Sequence, residues 1–146
     1  MMADKKSILF LCTGNSCRSQ MAEGWAKKLV GDRFDVYSAG IEKHGLNQSA
    51  VRVMAEAGVD IASHHSKTTD ELTRKDFDYV ITVCGHADKN CPWFPAKTKV
   101  LHHGFDDPPR LAKNTAAEVE VLDIYRRVRD EIRSFVEHIE SFLEKS

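Results

Sequence analysis

Short apolar runs and amphipathic stretches alternate along this chain. The apolar runs predict four buried strands, which we place at residues 5–11, 34–39, 77–83 and 99–102. Apolar residues that recur at steps of three and four predict helices, which we place at residues 20–29, 48–57, 66–74 and from about 116 to 143. Because helices separate the strands, this order predicts an α/β fold: a small four-stranded parallel sheet with helices on both faces.

Polar residues and glycine indicate where the predicted helices begin and end. Ser19 is expected to cap the first helix, and Gly58 to end the second. Thr68 or Thr69 is expected to begin the short third helix. No repeat or linker interrupts the pattern, so residues 1–146 are expected to form a single domain.

Composition narrows the classes of function. The 146 residues carry a formal net charge of −1, so neither nucleic acid nor a membrane surface is an expected partner. The longest apolar run near the N-terminus, residues 8–12, is too short for a membrane span or a secretory signal. We therefore expect a cytoplasmic protein, in which the four cysteines are thiols at rest and any disulfide is transient.

One loop between the first predicted strand and the first predicted helix carries most of the candidate chemistry. Its residues are Cys12, Thr13, Gly14, Asn15, Ser16, Cys17, Arg18 and Ser19. A loop in this position can turn its N–H groups inward, and the helix start adds partial positive charge, which together favour a tetrahedral oxyanion. Arg18 can clamp two oxygens of that anion. Cys12 is the expected nucleophile, with a pKa lowered by the positive field.

Several residues of this loop have separate expected tasks. Gly14 supplies the backbone freedom that a nest of inward-facing amides needs, and Asn15 can hydrogen-bond within the loop. Ser19 can donate a hydrogen bond to the thiolate of Cys12. Cys17 is expected to line the cradle or to pack beside it. The alternative is that Cys12 is an inert, buried thiol at the end of a strand.

Together, the loop Cys12-x5-Arg18-Ser19 and the downstream pair Asp107-Pro108 resemble the low-molecular-weight protein tyrosine phosphatases. More narrowly, the chain resembles the thioredoxin-coupled arsenate reductases of that family, through residues 11–25, 36–40, 83–85, 91–92, 104–108 and 127–131. The resemblance implies the phosphatase fold, arsenate as substrate, and phosphate or sulfate as analogue anions. It implies no bound cofactor and thioredoxin as the electron donor. We expect a monomer.

A three-cysteine relay is also implied by this resemblance. Cys12 attacks arsenate, Asp107 protonates the departing oxygen, and Cys84 then attacks Cys12 so that arsenite leaves. Cys91 next attacks Cys84, and thioredoxin reduces the resulting disulfide. The turn-forming residues between Cys84 and Cys91 predict that the necessary movement is easy. Asp107 is preferred to Asp106 because the acid of the family precedes proline.

Two other functions remain open at this point. The chain could be a phosphatase that hydrolyses phosphotyrosine or small phosphate esters with Cys12, Arg18 and Asp107, the outer cysteines being incidental. Pro109 stands where these phosphatases usually have tyrosine, which weakens a phosphotyrosine-directed interpretation. The chain could also be a non-catalytic phosphate-binding or redox-sensing module, because one fold can host many functions.

Metal binding is a further alternative for the outer cysteines. Zinc ligands are available in Cys84, His86, Cys91, His102 and His103. Structural zinc sites usually pair ligands two to four residues apart, and the gap between Cys84 and Cys91 is longer. We therefore expect no metal site.

Potassium is another candidate ligand, because some reductases of the family bind it beside the loop. Asn15, Glu23 and Ser38 match positions that take part there, but Lys67 stands where an acidic ligand is expected. A lysine ammonium would repel the ion and could pair with Glu23 instead. We therefore expect that potassium does not bind.

Overall fold

A computed structural model describes residues 5–74 and 76–145. Residues 1–4, 75 and 146, which the one-domain prediction includes, lie outside this described part. In chain order the elements are β1 (Lys6–Cys12), α1 (Arg18–Val30), β2 (Phe34–Gly40), α2 (Gln48–Glu56), a 3-10 turn (Thr69–Glu71), β3 (Tyr79–Thr82), α3 (Gly85–Lys89), β4 (Lys99–His102), α4 (Pro108–Leu111), α5 (Glu118–Glu137) and α6 (Ile139–Glu144).

Four parallel strands form the sheet, as predicted, and their order is β2-β1-β3-β4. Ile8, Leu9, Phe10 and Leu11 in β1 have no exposed surface. Because successive residues of a strand point to opposite faces, both faces of the sheet must be covered at this strand. The carboxyl end of β1 lies between those of β2 and β3, which brings the following loop close to the residues that end both neighbours.

The loop after β1 is held in place by the packing of the helix that follows it. α1 packs against β2 and α5, and Trp25 and Met21 on this helix are buried. The facing residues of α5 recur at helical spacing: Leu122, Tyr125, Val128, Ile132 and Val136 are all buried. Burying such side chains stabilises the fold by about 1.5–3 kcal/mol each, so the start of α1 is fixed relative to the sheet.

The first helix begins earlier than the sequence predicts. Cys17 is its N-cap residue and α1 starts at Arg18, whereas Ser19 was expected to be the cap. Ser19 is fully buried in the first turn, and its hydroxyl accepts a hydrogen bond from Asn15 Nδ2 at 3.0 Å. The expectation was wrong because the serine hydroxyl is used by the loop rather than by the backbone of the helix.

Other boundaries differ for local reasons. The helix predicted at residues 66–74 is only the 3-10 turn Thr69–Glu71, closed by a capping box between Thr68 and Glu71. The long C-terminal helix is interrupted at His138, where the backbone N–H donates to Phe135 O. In a continuous helix the N–H of His138 would donate to the carbonyl of Ser134. Here the His138 ring Nδ1 donates to that carbonyl, at 2.9 Å.

None of the helices in the described part of the chain is both long and apolar enough to cross a membrane.

Candidate active site

Asn15 holds the loop after β1 in shape from behind. It is fully buried and adopts a left-handed backbone with φ of 47°. Its amide nitrogen donates to Ser19 Oγ and to Ser38 Oγ, both at 3.0 Å. Its amide oxygen accepts from Gln20 Nε2 and from the backbone N–H of Lys67, again at 3.0 Å. Four hydrogen bonds from one buried side chain therefore fix the least favourable backbone conformation in the loop.

The segment after β2 holds the carbonyl side of the loop. Ile41 N–H donates to Cys12 O, Glu42 N–H to Thr13 O, and His44 N–H to Gly14 O, at 2.8–3.1 Å. In a trans peptide the next N–H points opposite to each carbonyl, so this pairing turns the loop amides towards the other side. That side is where an oxyanion would bind.

Two glycines allow these segments to approach closely. A Cβ on Gly40 would lie 2.3 Å from Glu42 O and 2.8 Å from Asn15 N, so a side chain there would collide with backbone. A Cβ on Gly14 would lie 2.3 Å from His44 Nδ1. The expected reason for Gly14 was therefore wrong: the left-handed residue is Asn15, and Gly14 is needed because the His44 ring packs against it.

A pocket of about 240 Å³ opens in front of the loop. Asn15 and Ser19 belong to the predicted anion-binding loop, but both are fully buried and do not line the pocket. They support its shape instead. The lining residues are Cys12, Thr13, Gly14, Ser16, Cys17, Arg18, His44, Asp107 and Pro109.

Arg18 and Asp107 face each other across this pocket. Arg18 Nη1 donates to Phe105 O at 3.0 Å, and its Nη2 lies 3.6 Å from Asp107 Oδ1. The neighbouring Asp106 points away and pairs with Arg127 at 3.1 Å. Of the two aspartates, Asp107 is therefore the one that lines the pocket, and its role as the acid stays a prediction.

Cys84 comes from the end of the neighbouring strand and contacts the loop beside Cys12. It directly follows Val83 after β3 and caps α3, with its sulfur accepting from Ala87 N–H at 3.4 Å. Thr13 Oγ1 lies 3.2 Å from the same sulfur. Because Thr13 directly follows Cys12, this contact places Cys84 beside Cys12, and the two thiols shift each other's pKa.

Contrary to expectation, the pKa of Cys12 is not lowered. The hydrogen bond to Cys84 and burial raise it, and the positive charge of Arg18 only partly opposes them. The same hydrogen bond from Cys12, aided by one from Thr13, lowers the pKa of Cys84 to about 5 against the effect of burial. The two thiols titrate as a coupled pair that shares one proton, and the opposite shifts favour the proton on Cys12.

The other two cysteines remain thiols. Burial raises the pKa of Cys17 to about 12, although this residue lines the pocket. Cys91 is half-buried, and burial with the nearby charge of Asp88 raises its pKa. All four cysteines are free, and α3 lies between Cys84 and Cys91. The structure thus describes the reduced form of the cysteine set.

His44 is a pocket residue that the sequence did not single out. Its ring lines the pocket beside Gly14, and its Nε2 lies 2.7 Å from Glu42 Oε2. No spacing or motif marks it, because it lies in an irregular segment after β2. Only the hydrogen bond from His44 N–H to Gly14 O brings it to the loop.

A buried carboxylate lies behind Asn15. Glu23 accepts hydrogen bonds from Ser38 Oγ and Lys27 Nζ, and Lys67 Nζ lies 3.9 Å from it. Burial opposes ionisation, but these partners hold the pKa of Glu23 below its usual value. The predicted pairing of Lys67 with Glu23 is confirmed.

Among residues 5–74 and 76–145, no group of three or more histidine, cysteine, aspartate or glutamate side chains is arranged to hold a metal ion.

The shared proton gives a direct prediction. A thiolate should form with a midpoint near pH 5 in the reduced protein, because the hydrogen bond from Cys12 lowers the pKa of Cys84 to about 5. Ultraviolet absorbance of the thiolate during an acid titration measures this. Cys84→Ala should abolish the transition, whereas Cys17→Ala should retain it. A transition that survives in Cys84→Ala and is lost in Cys12→Ala would contradict the assignment.

Known proteins are similar to this chain in sequence and in fold. Residues 7–146 match the family described as low molecular weight phosphotyrosine protein phosphatase. An arsenate reductase of Halalkalibacterium halodurans is 54% identical over 88% of this chain and 91% of its own. The solved structure of an arsenate reductase in its oxidized state, 30% identical, aligns with a TM-score of 0.75 over 91% of this chain and 95% of its own.

One further solved structure bears on the reductant. A thioredoxin-dependent arsenate reductase of Corynebacterium glutamicum, 25% identical, aligns with a TM-score of 0.64 over 96% of this chain and 64% of its own. The family match covers nearly the whole chain, and the relative is similar along most of its length. The chain therefore belongs to the low molecular weight phosphotyrosine protein phosphatase family.

Proposed function

We propose that this protein is an arsenate reductase that passes oxidation from Cys12 to Cys84 to Cys91. The observation that carries the proposal is that a second thiol, Cys84, lies beside Cys12 at an oxyanion pocket, with its sulfur 3.2 Å from Thr13 Oγ1. A hydrolase needs only the first of these thiols. The similarity to proteins named arsenate reductases supports the same function.

In the first step, Cys12 attacks arsenic. A sulfur–arsenic bond forms, and an oxygen leaves as water after Asp107 protonates it. Arg18 and the loop amides hold the remaining oxygens. The proton that Cys12 must lose already points to the Cys84 sulfur. The Cys84 sulfur can therefore take this proton as the attack begins. Arsenic remains pentavalent at this stage.

In the second step, the Cys84 thiolate attacks the sulfur of Cys12. A Cys12–Cys84 disulfide forms, the electron pair of the sulfur–arsenic bond stays on arsenic, and trivalent arsenite leaves. The proton that Cys84 took from Cys12 in the first step passes to an oxygen on arsenic, so the Cys84 sulfur attacks as a thiolate. Cys84 already lies beside Cys12, with its sulfur 3.2 Å from the Oγ1 of Thr13, so little movement is needed.

In the third step, Cys91 attacks Cys84 and releases the Cys12 thiolate. A helical path over the residues between Cys84 and Cys91 spans about 10 Å, but a disulfide requires Cα atoms within about 7 Å. α3 must therefore unwind. The helix is short, and Ala87 is its buried residue, so unwinding exposes little apolar surface. A dithiol protein of the thioredoxin class then reduces the Cys84–Cys91 disulfide.

A phosphatase reaction is the second candidate, and the family match favours it. It would use Cys12, Arg18 and Asp107 in the same pocket and end in hydrolysis of a phosphocysteine. The pairing of Cys84 with Cys12 has no role in that reaction.

The remaining expectations are part of this proposal. The protein is a cytoplasmic monomer whose single domain spans residues 1–146, and it uses thioredoxin without a bound cofactor. Potassium does not bind behind the loop, because Lys27 and Lys67 already supply positive charge to Glu23. Burial lowers the pKa of Lys67, but the nearby charge of Glu23 opposes this shift and favours the ammonium form.

An assay with arsenate, thioredoxin, thioredoxin reductase and NADPH tests the main claim. We expect NADPH oxidation that depends on arsenate. Cys91→Ser should release one arsenite per enzyme and then stop, because its Cys12–Cys84 disulfide has no outer thiol to attack it. Cys12→Ser, as the control, should release none. Normal turnover by Cys91→Ser would remove that residue from the relay. Hydrolysis of a phosphate ester without any reduction of arsenate would favour the phosphatase.

Potassium is tested in the same assay. Rates in potassium and sodium salts at equal ionic strength should agree, because the Lys67 ammonium lies 3.9 Å from Glu23. Lys67→Ala is the informative variant: stimulation by potassium in this variant alone would identify the ammonium as the group that keeps the ion out. Stimulation of the unaltered protein by potassium would contradict the proposal.

A further inference from the structure

An exposed tryptophan lies beside the outer thiol. Trp93 is 81% exposed, whereas Trp25, the other tryptophan, is 1% exposed. A single exposed apolar side chain is common on protein surfaces, but tryptophan is enriched among the residues that carry binding energy at interfaces, and Trp93 stands only two residues from Cys91. The position of Trp93 therefore calls for an explanation outside the core.

The chain around Trp93 is anchored, so its ring cannot simply turn inward. Phe94 is buried, and its ring meets that of Phe77 edge-on with centroids 6.4 Å apart. Thr98 Oγ1 donates to Phe77 O at 2.6 Å, and Thr98 N–H donates to Pro95 O at 2.9 Å. Phe94 fills the space in the core next to this segment. Trp93 therefore stays on the surface, where its apolar ring is exposed.

Trp93 follows Cys91 by two residues, which fixes its relation to the relay. Their Cα atoms are at most about 7 Å apart, from the length of an extended chain. A protein that binds specifically covers about 800 Å² of its partner. Any protein that reaches the sulfur of Cys91 must therefore also cover Trp93. A small-molecule thiol has no such footprint.

We propose that Trp93 is the anchor on which a dithiol protein of the thioredoxin class docks. The inference rests on the proposed function and specifies the surface its reductant uses. The partner thiolate attacks the Cys91 sulfur of the Cys84–Cys91 disulfide, and Cys84 leaves as a thiolate that α3 recaptures as its N-cap. The second thiol of the partner then displaces Cys91, so the partner is oxidised as this protein is reduced.

Burial of the tryptophan ring stabilises the encounter and not the chemistry. An indole ring buries about 150–250 Å², and truncation of an anchor residue typically weakens binding at least about tenfold. Because Trp93 does not line the oxyanion pocket, the effect should be limited to the protein reductant.

The test compares reductants. With saturating arsenate, kcat/KM for thioredoxin should fall about tenfold or more in Trp93→Ala, and Trp93→Phe should recover most of it. Val119→Ala, which trims another exposed apolar residue at the start of α5, is the matched control and should equal the unaltered protein. Dithiothreitol replaces thioredoxin in a parallel series, where the loss in Trp93→Ala should disappear.

Each outcome separates the inference from the function on which it rests. A Trp93→Ala value within twofold of the unaltered protein would overturn the anchor while leaving the reductase intact. An equal loss with dithiothreitol would show that Trp93 acts on the fold of the segment, which also overturns it. A dimer that Trp93→Ala dissociates would assign the ring to a second copy of this chain. Failure of the unaltered protein to use thioredoxin would instead count against the proposed function.

Discussion

The proximity of the Cys12 and Cys84 thiols joins the oxyanion pocket to the outer cysteines. These residues are far apart in sequence, but β3 lies directly beside β1 in the sheet, so they come together at the same edge. The two thiols are coupled and shift each other's pKa in opposite directions. A nucleophile and the thiol that will attack it are thus in contact before any substrate binds.

The shape of the pocket depends on buried polar groups that never touch an anion. Asn15, Ser38 and Glu23 form a continuous set of hydrogen bonds behind the loop, and Lys27 and Lys67 balance the buried carboxylate. A half-satisfied network in this position would be costly, because each unpaired buried group loses its hydration without return. Rigidity at the loop contrasts with the short α3, where movement is required.

The sequence was sufficient for the fold and for locating the oxyanion loop, and insufficient where distant segments meet. The order of the three cysteines in the relay stays a prediction. Alternating patterns predicted four strands and their parallel arrangement, and the loop at Cys12 was recognised from local residues. The cap at Ser19 was wrong because Asn15 uses its hydroxyl. The pKa of Cys12 was wrong because a local positive field suggested a lowered value, and the opposing partner, Cys84, comes from another strand. His44 was missed because only tertiary hydrogen bonds bring it to the pocket.

Whether the sulfurs act in series is the central claim, and disulfide mapping tests it most directly. Reduced protein is treated with arsenate in the absence of any other thiol, quenched with an alkylating agent once arsenite appears, and digested for mass spectrometry. The account predicts a peptide pair linked through Cys84 and Cys91, with Cys12 alkylated as a free thiol. Arsenite release with Cys84 and Cys91 both alkylated would contradict it.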